Sequence, residues 1–400
     1  MVPLLLAEPV NPPAAGRLDG AAAVLRTALR YGPVARGEIG RRTGLSPAAV
    51  SRHGADLLAL GLVREPRQPA AAPRPGRPRI PLEVDTGHHL AAGVHLAVSR
   101  LTFALVDLRG RVVAREELAR RPGAAVAEDL GRLRDHLPGF LRRHAAGRSV
   151  LGLGAVTGGW VDPDRGRVVA NSALGWRDVP LRAEIEQATR LPVHLDNHAR
   201  ALAGAELLFG PGPGGDLVHL FVGNAVDAAI VTGGHVLRGR HNGAGGIAHL
   251  PVPGATPRCP CGAAGCLQAT VADRAVADRA VAAGLLPRPD LGLLLAAARA
   301  GEPRAVELCR SRLRLLARPI GLLLDMLNPH ALVLTEGVAL FLPELLPVLH
   351  EALAEQAGRR VEQVVRAGAF GSDTLAVAAA APVLAAVYQD PLALRTGRTR

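Results

Sequence analysis

Lysine is missing altogether. The 400-residue chain carries 47 Lys+Arg side chains and every one of them is arginine. Together with the Ala, Gly and Pro bias this marks a coding-composition effect, so an arginine-rich stretch carries weight only through where it sits. Aromatic residues make up 2% of the chain, too few for stacking on exposed bases to be the main mode of binding. Cysteine occurs four times. The start, "MVPLLLAEPV", has a short apolar run with no basic segment before it, which argues against an export signal. Few thiols and no export signal lead to the expectation of a reducing cytoplasm. No apolar run combines sufficient length with freedom from charge, Gly and Pro to cross a bilayer, and no membrane partner is expected. What is present is a chain 48% hydrophobic, with the apolar residues spread along its length. That describes a globular protein of two or three domains.

The net charge of +12 is unevenly placed. Twelve arginines and five acids fall between residues 17 and 83, so more than half of the excess lies in the first fifth of the chain. A polyanion is the expected partner of that segment. Within it, "GAAAVLRTALRYG" (20–32) repeats apolar residues at helical spacing. "RGEIGRRTGLSPAAVSRHGADLLALGLV" then reads as a short helix, a tight turn at Thr43-Gly44-Leu45, and a second helix. Ser46 suits the N-cap and Pro47 the first helical position. Val50, Leu57, Leu58 and Leu60 are expected to pack inward. Ser46, Ala48, Ala49, Ser51, Arg52 and His53 gather near the helix start, where a recognition helix meets base edges.

"LVREP" opens a strand, Pro and Gly keep the next stretch out of a helix, and "RIPLEV" resumes an extended pattern. A strand, a basic loop and a strand after a helix-turn-helix make the winged variant, with Arg74, Arg77 and Arg79 reaching phosphates or a neighbouring minor groove. A solvated helical hairpin followed by a Pro-rich linker is the alternative. Gly37, Gly40 and Gly54 inside the helices each cost about 1 kcal/mol against Ala. The spacing, the caps and the clustered charge favour DNA binding.

From about residue 88 strands alternate with helices. "LAAGVHLAVSRLTFALVDLRGRVVAREEL" reads as a hairpin or three-strand meander turning at Arg109-Gly110. "SVLGLGAVTGGWVD" is a buried strand with a Gly-rich exit, "LPVHLDNHARALAGAELLFG" a short strand feeding a helix, "GDLVHLFVGNAVDAAIVTGGHVL" two strands and "HALVLTEG" another. Helices are expected over "LRAEIEQAT", "VADRAVADRAVAAG", "VELCRSRLRLLARPIGLLLDML" and "FLPELLPVLHEALAEQ". Two sets of strands make an α/β body of two lobes with a cleft between them.

Three of the four cysteines fall within "PRCPCGAAGC". Cys259, Cys261 and Cys266 form C-x-C-x4-C, with His249 ten residues upstream, and Gly262 and Gly265 let the backbone curl so that the sulfurs face one point. Three thiolates and one imidazole complete a closed tetrahedron, the ligand set of structural zinc rather than of a catalytic metal with an open position. A redox pair or unmetallated cysteines are the alternatives. Cys259 and Cys261 are too close for an easy unstrained disulfide. Cys309, in an apolar helix, reads as inert core.

These residues together resemble the ROK family, whose name joins repressors, uncharacterised open reading frames and sugar kinases. The stretch "GAGGIAHLPVPGATPRCPCGAAGCLQ" is similar to the family's G-E-I-G-H followed by C-x-C-G-x-x-G-C-L-E. "GWVDPDRGRVVANSALGWRDVPLRAEIE", "LPVHLDNHARALAGAE" and "LNPHALVLTEG" stand in the expected order. The resemblance implies a two-lobed actin-like (ribonuclease H-like) sugar-kinase fold behind the winged helix-turn-helix, and the amino-terminal domain looks like the family's repressor branch. The expected organisation is a disordered start over 1–16, the DNA-binding domain over 17–84, a first lobe over 85–203, and a second lobe over 204–372 with the zinc loop 249–266. A helix near 373–390 returns to the first lobe, and 391–400 is a disordered tail.

The departures from the family pattern bear on activity. Where ROK kinases resemble D-x-G-G-T, this chain has "HLAVSR" with His95 in the place of the Asp. The second phosphate loop has become "GNAVD" (223–227), and the glycines near the nucleotide's adenosine have become "TEG" (335–337). The Asp that serves the kinases as general base corresponds to His198, and without glycine loops to cradle phosphate there is nothing to transfer. The family's sugar contacts fall on Ala173, His198, Gly246, His249 and Gln268, so ordinary hexose binding should be weak or lost. A rearranged effector site using Asn197, His198, His249 and Gln268 for a sugar derivative stays open. The resemblance therefore implies a sequence-specific DNA-binding transcriptional regulator, a repressor by its branch, with one structural Zn2+. It would act as a homodimer or homotetramer on a double-stranded operator, without kinase activity. The alternatives are an ATP-dependent sugar kinase with a divergent site, and an interaction scaffold whose helix-turn-helix has decayed.

Overall fold

A computed structural model of the chain describes residues 19–66, 80–121, 123–211, 215–357 and 364–396. The chain opens with three helices, α1 (Gly20–Tyr31), α2 (Arg36–Thr43) and α3 (Pro47–Ala59). Gly44 stops α2 in the left-handed conformation, φ 72°, and the Ser46 side chain caps α3 by accepting from the Ala49 N–H at 3.2 Å. The inward stripe of α3 is Val50, His53, Gly54 and Leu57, the i, i+3, i+4, i+7 set that a 3.6-residue period dictates. Two of the glycines that count against helix are contact points: a Cβ on Gly54 would lie 3.2 Å from Leu82, and one on Gly40 3.2 Å from the Leu45 carbonyl. Short strands β1 (Val63–Arg64) and β2 (Glu83–Val84) pair antiparallel, and Val34 bridges to Leu82 beside them. The expected wing runs between these strands, and its tip lies outside the described residues.

The body contains two five-stranded sheets with one topology. The first lobe gives β3 (His89–Leu96), β4 (Arg100–Asp107), β5 (Val112–Ala119), α4 (Val126–His144) and β6 (Ser149–Thr157). A small three-stranded sheet β7 (Trp160–Asp162), β8 (Arg167–Asn171), β9 (Trp176–Val179) follows, then α5 (Leu181–Thr189), β10 (Val193–Asn197) and α6 (His198–Phe209). The second gives β11 (Leu217–Val222), β12 (Val226–Thr232), β13 (His235–Val236), α7 (Leu267–Val271), α8 (Asp273–Ala282), α9 (Leu291–Arg299) and α10 (Pro303–Leu327). After these come β14 (Ala331–Glu336), α11 (Gly337–Phe341), α12 (Leu346–Ala357) and β15 (Val365–Ala367), and the chain closes with α13 (Thr374–Gln389).

The sheet orders are β10-β6-β3-β4-β5 and β13-β12-β11-β14-β15. Each is an antiparallel meander of three strands whose first strand is then flanked by two parallel ones. The three-strand meander read from 89–119 turns where expected, with Gly110 at φ 78°.

Apolar periodicity sets the layers. One face of the first sheet packs on Leu133, Leu137 and Phe140 of α4 and Ile185 of α5. The outer face of the second packs on Leu313, Leu316 and Ile320 of α10 and Leu349 and Leu353 of α12. Between the sheets lie α6 and α13, sharing a core with Val156, Leu217 and Phe221. Helix α13 also approaches the backbone of the first sheet directly. A Cβ on Gly93 of β3 would come 2.4 Å from the Ala379 carbonyl carbon, and one on Gly154 of β6 only 1.9 Å from the Ala379 oxygen. The stretch Gly371–Gln389 is long and apolar enough, by length and composition, to cross a membrane, where the sequence led to the expectation of no such run. Its buried Ala, Val and Leu side chains are spent on the core, which accounts for the apolarity.

The head and the body share one core. Val24, Leu25 and Ala28 of α1 pack with Ala91, Ala104 and Val106 of the first sheet and with Val383, Leu384 and Tyr388 of α13. Arg26 donates to the Tyr388 carbonyl at 3.1 Å, and the Tyr388 hydroxyl donates to the Leu108 carbonyl at 2.6 Å. Of the tail expected to be disordered over 391–400, Pro391–Thr396 form a 3-10 helix, and 397–400 lie outside the described residues. Leu392 and Leu394 pack on the shared core and Arg395 pairs with Asp56 of α3 at 2.5 Å. Apolar contact and an ion pair hold what composition alone left unstructured.

Candidate functional site

The outward face of α3 carries Ala48, Ser51, Arg52 and Ala55, all exposed, with Ser46 and Pro47 exposed at its start. Small side chains there leave room for close approach to a surface, and Arg52 has no acidic partner among the described residues. Residue 53 requires a correction. His53 is 9% exposed, and a Cβ on Gly20 would strike its ring at 2.4 Å. It lies one turn from Val50 and Leu57 on the inward stripe, so it packs under α1 and does not face outward. Arg36 braces the wing's base, donating to Glu65 at 2.6 Å and to the Ile80 carbonyl at 2.8 Å. Arg74, Arg77 and Arg79, expected on the wing, lie outside the described residues.

Cys259, Cys261, Cys266 and His249 come together as the spacing predicted: their ligand atoms all lie within 4.8 Å of one another. The loop is closed by antiparallel bridges at Pro251–Cys266 and Arg258–Ala264. Its curl depends on Gly265, at φ 71°, where a Cβ would fall 2.4 Å from the Ala255 carbonyl oxygen. The distances test whether a metal fits. Cys261 and Cys266 sulfurs are 3.6 Å apart and Cys259 sulfur is 3.5 Å from His249 Nδ1. Four ligands at about 2.3 Å (S) and about 2.0 Å (N) around a tetrahedral ion have edges of this size, whereas a disulfide brings sulfurs to about 2.05 Å. Burial, with the neighbouring Cys261 and Cys259, pushes the Cys266 thiol up to about 11; three thiolates this close call for a cation. The donor set and spacing fit a metal ion.

The cleft between the lobes encloses about 580 Å3. At its floor lies a line of three side chains. His95, from the end of β3, places Nε2 3.4 Å from Nδ1 of His198 at the start of α6, and His198 Nε2 is 3.0 Å from Asp227 Oδ2 on β12. The two rings are nearly coplanar, at 8°, with centroids 5.6 Å apart. Centroids so far apart with nitrogens so close mean that the rings meet edge to edge, in line. Phe221 covers the face of His198, centroids 3.8 Å apart. Burial, then the neighbouring His198 and Arg100, hold His95 well below the usual histidine range. Burial opposes the charge of Asp227, but hydrogen bonds from His198, the Gly159 N–H and Asn197 outweigh it and keep the carboxyl below its ordinary value. A carboxylate can only accept, so the tautomer that fits the 3.0 Å contact is the one with the proton on His198 Nε2.

Of the four residues expected to touch an effector, only His198 borders this cavity. Asn197 spends its side chain as the cap of α6, accepting from the Ala199 N–H at 2.8 Å and donating to the Gly159 carbonyl at 2.9 Å. Gln268 accepts from the Val226 N–H at 3.1 Å, and His249 turns to the cysteines. Backbone groups take up the polar atoms that a sugar would have needed.

Two features escaped the sequence reading. Asp227 stood in a stretch noticed only for its missing glycines, and Arg312 in an apolar helical run. Arg312 is fully buried beneath the cleft. It donates to Asp273 at 2.7 Å and to the Val222 carbonyl at 3.3 Å, and its Nε lies 3.0 Å from Glu336. Glu336 and Asp273 both line the cavity and are held there by one guanidinium.

Comparison with known proteins agrees with this anatomy. The model of the ROK family matches residues 91–383. The chain is 34% identical to the protein named transcriptional regulator Rv0485 of Mycobacterium tuberculosis, over 96% of this chain and 89% of that one. It is 27% identical to the DNA-binding transcriptional dual regulator NagC of Escherichia coli K12, over 84% of each. Among solved structures, a ROK family transcriptional regulator, a homolog of the E. coli MLC protein, superposes with a TM-score of 0.74 at 25% identity, covering 94% of this chain and 98% of that one. A ROK family glucokinase from Streptomyces griseus in complex with glucose and AMPPNP superposes with a TM-score of 0.62 at 25% identity, covering 73% of this chain and 98% of its own.

Proposed function

Since this chain belongs to the ROK family, we propose that it is a DNA-binding transcriptional regulator of the repressor type, with a structural zinc and a body that does not transfer phosphate. The observation that carries this reading is the exposed, small-residue face of α3 in a head built into the same core as the body. The full-length similarity to proteins named as regulators supports it, and the kinase superposition covers a share of the chain that the body alone could supply. Base edges would meet Ser46, Ala48, Ser51 and Arg52, while Arg74, Arg77 and Arg79 would reach the backbone or the minor groove. Two heads on one duplex are the normal route to specificity, so a homodimer or homotetramer is the working state.

Zinc would be held by His249, Cys259, Cys261 and Cys266, all four positions filled by protein. Its role would then be to order the loop that enters α7, not to activate water. Against phosphoryl transfer stand His95 and His198 in place of carboxylates, the absence of glycines after His95, and the Glu336 and Asp273 carboxylates lining the cavity. An ordinary hexose finds few free polar partners, because Asn197 and Gln268 are engaged with backbone.

Footprinting of the purified, metal-loaded chain on DNA upstream of its own gene tests the reading. A discrete footprint is expected, weakened about tenfold by Arg52→Ala, within the range of one base contact. Weak, salt-sensitive binding of equal strength on every sequence would instead identify a scaffold. Turnover of ATP with any member of a sugar panel would identify a kinase.

A further inference from the structure

Helix α3 carries one acidic side chain, Asp56. It stands four residues after Arg52, and side chains four apart are neighbours on one side of a helix. That side also carries Ala48, Ser51 and Ala55, the exposed face set against DNA above. A carboxylate there repels the phosphates of an approaching duplex. Four of the five acids between residues 17 and 83 have an arginine partner. Glu38 pairs with Arg41 and Arg42, Glu65 with Arg36, and Glu83 with Arg64, all within the head. Asp56 draws its arginine from elsewhere. Arg395, 339 residues further along the chain, places Nη2 2.5 Å from Asp56 Oδ1.

The segment that delivers Arg395 is built into the fold. It follows α13 as the 3-10 helix Pro391–Thr396, and the Asp390 side chain holds its start by accepting from the Ala393 N–H at 3.2 Å. Leu392 and Leu394 pack on the core shared by α1, the first sheet and α13. The backbone that carries Arg395 is therefore already ordered beside α3, and little of that ordering is left to be done when a ligand arrives. The guanidinium is only partly engaged. Asp56 takes Nη2, and 45% of the Arg395 side chain stays exposed, against 23% for Asp56. A guanidinium carries five N–H donors in a fixed fork, the geometry that suits phosphate oxygens.

We propose that Arg395 is a phosphate contact of the DNA-binding face, set beside the recognition helix by the segment after α13, and that it also cancels the charge of Asp56. This rests on the regulator reading above and adds to that interface a residue from outside the head. Two observations select the role. The first is magnitude. An ion pair this exposed contributes little to stability, and the two leucines already hold the segment in place. The consequence of the pair lies in the field it leaves along α3. The second is the sign of that field. Twelve arginines face five acids between residues 17 and 83, and the sequence after Asp390 contains arginine but no Asp or Glu. A polyanion is the partner that such a surface draws in.

The two arginines of this face then have different work. Phosphate contacts fix a protein on its duplex and carry no sequence information, whereas base edges do. Arg395 strengthens binding to every duplex alike. Arg52, nearer the start of α3, discriminates between duplexes.

The test is titration of the full, metal-loaded chain with two labelled duplexes, one from upstream of its own gene and one of unrelated sequence, followed by anisotropy between about 50 and about 200 mM salt. Arg395→Ala is expected to weaken both about three- to tenfold and to lower the slope of log K against log salt by about 0.9, the yield of one phosphate contact. Arg395→Lys should keep the slope, and Asp56→Asn should tighten both complexes. Melting temperature checks the folding of each variant. The deciding chain is Arg395→Ala/Asp56→Asn. An arginine that meets phosphate leaves this double variant weaker than Asp56→Asn and lower in slope. An arginine that only neutralises Asp56 leaves the two equal, and that result would overturn the proposal. So would an unchanged slope in Arg395→Ala, or no binding to either duplex. A native chain that binds both duplexes alike would sink the regulator reading, and the slopes would still report on Arg395.

Discussion

Replacing Arg312 with Met should be among the most costly single changes in the second lobe, and its cost can be worked from the cleft floor. Methionine keeps most of the volume of the arginine stem but removes the guanidinium. Glu336, whose side chain is fully buried, would keep a single donor, the Ala339 N–H at 2.9 Å. Asp273, whose side chain is 26% exposed, can turn to water and loses less. Burial works against the charge of Arg312, yet Glu336 first and Asp273 second more than offset it and hold its pKa above the ordinary value. Removing one partner of such a pair costs about 3–5 kcal/mol, mostly because the other charge is left stranded. For a lobe of this size that is a fall in Tm of about 6–20 °C.

The double variant Arg312→Met/Glu336→Gln strands no charge, and the Gln carbonyl can still accept from Ala339. It should recover to within about 1–2 kcal/mol of the native chain. Both tryptophans, Trp160 and Trp176, lie in the first lobe, so their fluorescence is the wrong probe. Hydrogen exchange of α10 and β14, alongside circular dichroism, follows the lobe that matters. A single variant losing less than about 1 kcal/mol, or a double variant no more stable than the single, would refute the reasoning.

Two further outcomes are expected. Metal analysis of protein purified without added metal should return one zinc per chain, and Cys261→Ser should lower that content while leaving the first lobe's unfolding unchanged; clearly less than one metal in a folded native chain would sink the assignment. Glu116 accepts from His144 at 2.6 Å and from Arg143 at 2.9 Å, with His136 Nε2 at 2.8 Å, and these hold its carboxyl down to about 2 despite partial burial. A depressed carboxylate contributes stability that is present above the ordinary Glu value and lost as pH falls through the folded one, so the gap in urea midpoint between the native chain and Glu116→Gln should shrink from pH 5 to pH 2.5, and a gap indifferent to pH would count against it.

Much of this molecule is legible where the signal is local. Ser46, Pro47 and Gly44 mark the ends of helices by their own chemistry. Arg109-Gly110 marks the turn of the meander, and C-x-C-x4-C with two glycines fixes the metal loop within eight residues. What was misread or missed depends on which distant residues meet. His53 was placed outward by its nearness to the start of α3, although its spacing from Val50 and Leu57 already put it on the inward stripe. His95 and His198 each read as a lost carboxylate. That they stand in line with Asp227 depends on two strands and a helix converging from positions 103 and 29 residues apart. In "ELCRSRLRLL" the 3.6-residue period puts Arg312 on the stripe of Cys309, Leu313 and Leu316, but nothing local says that Glu336 and Asp273 meet it there. The order of residues 391–396 depends on a core assembled from α1, the first sheet and α13, so local composition gave the wrong expectation there.

Helix α13 ends on two different surfaces. Its first turn is part of the cleft wall, its last turn packs with α1, and between them the Ala379 backbone occupies the space that a Cβ on Gly93 or Gly154 would need. A seat that close leaves no room for a side chain at either glycine, and Ala376, Ala380 and Val383 pack beside it with Ala91, Ala104 and Val106 of the same sheet. One helix therefore borders the cavity with its first turn and the core beneath α1 with its last, so a bulkier residue at either glycine would disturb both surfaces at once.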